Sequence, residues 1–266
     1  MGLIEGPVLG SGSFTFVVLA TSKVDPCHKM AVKTFPLFGP ACEANKKKMD
    51  EEASRMFLRE AQLMKRLQHS NIISLTCCVQ TPTSLVLMLP YCKNGTLMQI
   101  IKTLTISQQT QFFRQLCDAI KYIHGKNIAH CDIKPSNVLV TDDKSILLSD
   151  FGLSRALPNQ DAELLIHFGT RLYRAPETFK GCRVNPFKAD MFAFGVTSWC
   201  MLLRRRPADV NFMRTLNEAV AFSSQFRRMV SSLLTPDPSK RPSASEVLER
   251  IGLITMTSTD RDVSIG

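Results

Sequence analysis

The sequence predicts an α+β chain in two lobes. A small β-rich lobe with one main helix covers 1–90, a connector covers 91–95, and a larger, mainly helical lobe covers 96–266. Three observations predict it. Short β-branched and aromatic runs punctuated by Gly and Pro fill residues 1–35. Phe57, Ala61, Met64 and Leu67 then recur at helical spacing. Beyond Asn94-Gly95 helical patterns dominate. A cleft between two such lobes is the expected ligand site.

Each element has its own signal. Val8-Leu9, Phe16–Ala20 and Met30–Lys33 read as an antiparallel meander, with Gly10-Ser11-Gly12 at its first turn. Phe38–Asp50, with Gly39-Pro40 and Lys46-Lys47-Lys48, reads as an exposed loop longer than most connections. The main helix is expected from Glu51 and stops near His69-Ser70-Asn71. Ile72–Cys78 and Ser84–Leu89 read as strands. Helices are expected over Ile106–His124, Ala189–Leu203, Leu216–Leu234 and Ala244–Ile251. Val138–Val140 and Ile146–Leu148 form short strands on either side of Asp142-Asp143.

Composition excludes several classes. With 44 % hydrophobic and 21 % charged residues, the 266-residue chain has ordinary globular composition rather than that of a disordered one. The nine cysteines are odd in number and contain no C-x-x-C pair. Neither a zinc site nor a disulfide framework is indicated, and reduced, mostly buried thiols are expected. No apolar run approaches the ~18 residues of a membrane span, and no signal peptide is visible. Gly6 stands where a myristoylation motif wants Ser or Thr. A cytoplasmic or nuclear protein without membrane attachment is therefore expected. The net charge is +10, concentrated at Lys46–Lys48 and Arg204–Arg206. Neither run is interleaved with aromatics, so nucleic acid is not an expected partner. Solvated faces are the first reading, and a taste for acidic substrates the second.

Five motifs carry chemistry. In Gly10-Ser11-Gly12-Ser13-Phe14-Thr15-Phe16-Val17 the missing side chains let backbone N–H groups approach phosphate oxygens. In Ala31-Val32-Lys33 an ammonium can pair phosphates if a carboxylate orients it, and Glu60 on the main helix is the candidate. In His130-Cys131-Asp132-Ile133-Lys134-Pro135-Ser136-Asn137, Asp132 can accept a hydroxyl proton, Lys134 can neutralise charge on a transferring group, and Asn137 can hold a metal. Asp150-Phe151-Gly152 supplies an acidic metal ligand and a large apolar lock. Ala175-Pro176-Glu177 completes the series.

In this order the motifs resemble the signature of the eukaryotic protein kinase superfamily, from Gly10 to Arg241. The resemblance implies transfer of the γ-phosphoryl group of ATP to a protein hydroxyl, with Mg²⁺ held by Asn137 and Asp150. It casts Asp132, Lys134, Lys33 and Glu60 as catalytic. Leu9, Gly10, Ser11, Gly12, Val17, Ala31, Lys33, Leu89, Pro90, Cys92 and Leu139 match positions that bind the nucleotide. Leu89 falls at the gatekeeper position, and Pro90-Tyr91-Cys92 at the hinge. His130, Phe151, Met64 and Leu75 match a stack that links the lobes. Asp190 matches a brace for the catalytic loop, and Arg241 the partner of Glu177. Lys134-Pro135 and Thr170 are similar to the serine/threonine branch, and Gly169-Thr170…Arg174-Ala175-Pro176-Glu177…Trp199 to the Mos group. Serine- and threonine-bearing proteins are the implied substrates. Dual specificity, a nucleotide-binding pseudokinase scaffold and a small-molecule kinase are the rival readings. The scaffold predicts loss of Lys33, Asp132, Asn137 or Asp150, and all are present.

Three departures from the family pattern matter. Thr15 replaces the usual third glycine, which implies weaker cover of the phosphates. Cys131 replaces the arginine that binds a phosphate on the activation loop, and 155–169 contain no Ser, Thr or Tyr. An activation segment that folds without phosphorylation is expected. The Phe38–Asp50 stretch is either a solvated loop or the dock for a regulatory partner that sets the Lys33–Glu60 pair.

Overall fold

The computed structural model describes residues 2–12, 15–38, 44–207 and 212–259. It divides into two compact units, Met1–Lys93 and Asn94–Gly266.

The first unit is a five-stranded antiparallel sheet in the order β1-β2-β3-β5-β4, with one helix. The strands are β1 (Leu3–Ser11), β2 (Phe16–Ser22), β3 (Lys29–Pro36), β4 (Cys77–Thr81) and β5 (Ser84–Pro90). β5 lies between β3 and β4, and Leu85–Leu89 are all buried, so it reads as an unbroken apolar run. The helix is α1 (Ala44–Lys65), whose Phe57 meets Phe35 of β3 edge-on at 5.7 Å. Two expectations need correction. The helix starts at Ala44 and not at Glu51, so much of the expected loop is helical, and 39–43 lie outside the described residues. Ala, Lys and Met favour helix by propensity, but they carry no apolar stripe here for spacing to detect. The strand expected from Ile72 starts at Cys77. Ile72 makes only an isolated bridge and Ile73 is buried outside any strand, and burial alone gives the same apolar signature.

In the second unit, α2 (Leu97–Ile100) precedes α3 (Ile106–Gly125), which opens on a capping box between Thr105 and Gln108. Three small two-stranded sheets follow: β6 (Ile128–Ala129) with β9 (Arg155–Ala156), β7 (Val138–Val140) with β8 (Ile146–Leu148), and β10 (Leu164–Leu165) with β11 (Arg183–Val184). α4 (Pro186–Leu203) begins three residues before the expected Ala189. Asn185 Oδ1 accepts the Phe187 and Lys188 N–H groups, and Pro186 takes the first helical position. Phe113 of α3 packs on Phe194 of α4 at 4.8 Å and on Phe226 at 5.0 Å. The single helix expected over Leu216–Leu234 is not present. A short helix α5 (Phe212–Thr215) and a 3₁₀ turn at Leu216–Glu218 precede α6 (Ser224–Leu233). Ser223 Oγ accepts the Phe226 N–H as N-cap, and that local bond starts a new helix where the apolar pattern runs on. α7 (Ala244–Thr259) closes the unit.

The thiols are less buried than expected. Cys27, Cys77 and Cys182 are exposed, and of the described cysteines only Cys117 and Cys200 are buried. Burial pushes the Cys200 thiol up to about 12. No helix among the described residues is long and apolar enough to cross a membrane.

Candidate active site

Residues paired across neighbouring strands share a face of the sheet. Val17 opposes Lys33, Lys33 opposes Leu87, and Ala31 opposes Leu89. Val17, Ala31, Lys33 and Leu89 therefore leave one face together. Lys33 Nζ donates to both Glu60 oxygens at 2.8 Å, with the residues 8 % and 1 % exposed. At that burial each charge is tolerable only because of the other. Gly10 and Ser11 oppose Val17 and Phe16, and the Gly12 N–H donates to the Thr15 carbonyl at 2.7 Å. Ser13 and Phe14 lie outside the described residues. Leu9 on β1 is exposed, Pro90 opposes Met30, and Cys92 is half-buried just past β5.

In the second unit the β7–β8 hairpin does the gathering. Val138 opposes Leu148, and Ser149 donates its N–H and its hydroxyl to the Asn137 carbonyl at 2.8 and 2.9 Å. Asn137 and Asp150 thus come to the same end of the hairpin, while Leu139 opposes Leu147 on β7. Asp150 is exposed and holds a left-handed backbone, φ 64°. Phe151 after it is fully buried against the His130 ring, 5.0 Å away. His130 Nε2 lies 3.0 Å from the Ser149 carbonyl and must carry the proton, leaving Nδ1 to accept the Asp132 N–H.

The Asp190 carboxylate, 1 % exposed on α4, accepts the His130 N–H at 2.7 Å, the Cys131 N–H at 2.8 Å and His124 Nε2 at 3.0 Å. This brace fixes the loop that presents Asp132. Lys134 Nζ donates to Asp132 Oδ2 at 2.6 Å and to Thr170 Oγ1 at 2.7 Å. The Thr170 N–H donates to Asp132 Oδ1 at 2.8 Å. Asn137 Nδ2 donates to the Asp132 carbonyl at 2.9 Å and to Oδ2 at 3.1 Å. Four residues named from sequence therefore form one hydrogen-bonded cluster.

Residues 4–251 match the family model described as a protein kinase domain. The chain belongs to the protein kinase family. Similar proteins include "Cell cycle serine/threonine-protein kinase CDC5/MSD2" of Saccharomyces cerevisiae, 26 % identical over 93 % of this chain and 36 % of that protein. Another is "Probable serine/threonine-protein kinase MARK-A" of Dictyostelium discoideum, 30 % identical over 90 % of this chain and 23 % of that one. A third is "CBL-interacting protein kinase 25" of Oryza sativa subsp. japonica, 28 % identical over 92 % and 49 %. The chain spans less than half the length of each of these relatives, and they do not bear on the likeness to the Mos group. Two of the three are named as serine/threonine kinases.

Further ties hold the kinase's second unit. Glu177 meets the Arg241 guanidinium end-on, accepting from its two terminal nitrogens at 2.5 and 2.7 Å, and both residues are buried. The remaining Arg241 donors reach the carbonyls of Thr235, Lys188 and Pro236. Gly169 stands at φ 90°, and a Cβ there would lie 2.7 Å from the Cys131 carbonyl. Gly169→Ala is expected to strain the Thr170–Asp132 contact and lower kcat/KM roughly tenfold or more, with the far-UV circular dichroism unchanged. Steady-state kinetics on the variant checks this.

Sequence reasoning missed His124 and Ser149, which anchor Asp190 and Asn137. A helix-end His and a strand-end Ser carry no spacing that would single them out. Among the described residues no cluster of three or more His, Cys, Asp or Glu could hold a metal. The Asn137–Asp150 pair still suits Mg²⁺, which takes one or two protein ligands and completes its shell with water and phosphate oxygens. With Nδ2 committed to Asp132, the Asn137 Oδ1 is the atom fit for that task.

Proposed function

We propose that the chain transfers the γ-phosphoryl group of ATP to serine or threonine hydroxyls of proteins. The observation that carries this reading is the Asp132–Lys134–Thr170–Asn137 cluster, in which a carboxylate is fixed through both oxygens beside an ammonium. Asp132 orients the acceptor hydroxyl and takes its proton. The hydroxyl oxygen bonds to the γ-phosphorus as the bond to the β,γ-bridging oxygen breaks, and ADP leaves. Lys134 stabilises charge on the group in transfer. Lys33, held by Glu60, pairs with the phosphates, and Leu9, Val17, Ala31, Leu89, Pro90, Cys92 and Leu139 receive the base. Asn137 and Asp150 would hold Mg²⁺, which supplies neutralisation of the phosphate charge. Positioning and fixed charge account for most of the acceleration.

The same reading covers regulation. Cys131 is a neutral thiol where many family members carry a cation. Loss of water around the half-buried sulfur first, and then the Asp190 carboxylate, push its ionisation well above the usual thiol range. The segment 155–169 is held by its own contacts instead. Gln160 Nε2 donates to Asn127 Oδ1 at 2.7 Å, Asn185 Nδ2 to the Gln160 carbonyl at 2.7 Å, and Arg174 to the Ile166 carbonyl at 2.9 Å. The Arg155 guanidinium lies 4.6 Å from the centre of the Phe168 ring. Ser154, fully buried, gives its hydroxyl to the His130 carbonyl. Phosphatase treatment is therefore expected to leave the turnover rate unchanged within about twofold. A drop of tenfold or more, reversed by phosphate on Ser154 or Thr170, would contradict this. A partner docking over 38–50 would act on the N-terminal end of α1, the helix that carries Glu60. An intracellular setting, where ATP is available, goes with this reading.

The test combines a nucleotide-dependent thermal shift with transfer of labelled phosphate to mixed acidic and basic proteins. Shift plus transfer is the expected result. A shift without transfer would make the chain a nucleotide-binding scaffold.

A further inference from the structure

The segment after Thr170 has a one-sided charge. Between Phe168 and Arg183 it carries Arg171, Arg174, Lys180 and Arg183 against a single carboxylate, Glu177. That carboxylate is buried and fully engaged by Arg241. Arg174, half-buried, stacks 4.4 Å from the centre of the Phe179 ring and donates only to neutral oxygens of Thr178 and Ile166. Arg171 and Lys180 are exposed, and neither has an ion-pair or hydrogen-bond partner for its side chain among the described residues.

These cations adjoin the catalytic cluster. Arg171 follows Thr170, whose N–H and hydroxyl are bonded to Asp132 and Lys134. Arg174 lines a surface depression that also includes Asp132, Thr170 and Tyr173. Leu172 and Phe179 stand exposed among them, at 44 % and 53 %. A polypeptide placing a hydroxyl at Asp132 must lay its flanking residues near this face. Lysine or arginine there would meet uncompensated like charge, and an anion would satisfy guanidinium groups that lack one.

Resting on the proposed phosphoryl transfer, we infer that the chain selects acceptors flanked by anionic residues, with Arg171 as the reader nearest the acceptor. Carboxylates and phosphoserine share this chemistry. The arginine fork suits either.

The test uses the full chain with Mg-ATP and four otherwise identical serine peptides. The acceptor is flanked on both sides by Asp, by phosphoserine, by Ala or by Lys. The expected kcat/KM for at least one anionic peptide exceeds that for the Lys peptide about tenfold or more, chiefly through KM. Preference for phosphoserine alone would identify phosphate as the anion read. The ratio should shrink between roughly 0.05 and 0.5 M salt as the charges are screened. Arg171→Glu should reverse the order, and its activity on the Lys peptide reports that the variant is folded. Equal rates on all four peptides, or an anionic preference that survives Arg171→Glu, would overturn the inference and leave phosphoryl transfer standing. No transfer to any of them would overturn both.

Discussion

Asp132→Asn is expected to lower kcat by about 10²–10⁴-fold, the range that a positioned general base supplies, while ATP affinity stays within a few fold. The substitution keeps the shape of the side chain. Its Oδ1 can still accept the Thr170 N–H, now at 2.8 Å. Its Nδ2, however, would confront Lys134 Nζ and Asn137 Nδ2, which both donate to Asp132 Oδ2 at present. Three donors would meet where one acceptor stood, so Lys134 loses its orientation along with the proton acceptor. Single-turnover transfer with saturating ATP measures the loss free of binding and product release. A variant with kcat within threefold of the parent would remove Asp132 from the chemistry.

Arg241→Ala should be the most destabilising single change in the second unit. It leaves the Glu177 carboxylate, 5 % exposed, without its cation and removes the bonds that the carbonyls of Thr235, Lys188 and Pro236 accept from the guanidinium. Breaking a buried ion pair from one side costs about 3–5 kcal/mol. At roughly 2–4 °C per kcal/mol for a domain of this size, Tm should fall by about 6–20 °C. Arg241→Lys should recover little, because an ammonium cannot bond both Glu177 oxygens and the carbonyls of Thr235, Pro236 and Lys188 at once. The double variant Glu177→Gln with Arg241→Met should recover part of the loss, since it strands no charge. Differential scanning calorimetry of the three variants tests the ordering. An Arg241→Ala chain melting within 2 °C of the parent would show that the pair is dispensable.

The grouping of the charged side chains was legible in the sequence where they stand at short spacings. Asp132, Lys134 and Asn137 sit close enough along one loop for a local turn to bring them together, and the β7–β8 alternation carries Asp150 back to Asn137. The Lys33–Glu60 pair was legible through the resemblance to the family, since a strand lysine and a helix glutamate taken alone are more often surface residues, and the two are bonded here. Other features left no trace. The first two turns of α1 rest on propensity without an apolar stripe. The break at Ser223 rests on one side-chain bond inside a continuous apolar pattern. The Asp190 brace was expected, but its bond to His124 depends on how α3 and α4 pack, which no local spacing encodes. Cysteine burial was misread because a thiol's tendency to be buried says little about Cys27 or Cys182 on turns.

The central claim is that a protein hydroxyl receives phosphate from ATP through the Asp132 cluster. Its most direct measurement is incubation of the chain with γ-labelled ATP, Mg²⁺ and a mixed protein substrate, followed by acid hydrolysis and separation of the phosphoamino acids. Label on phosphoserine and phosphothreonine is the expected result, with its rate of appearance lowered about 10²-fold or more by Asp132→Asn. ATP binding without labelled product, or label confined to phosphotyrosine, would contradict it.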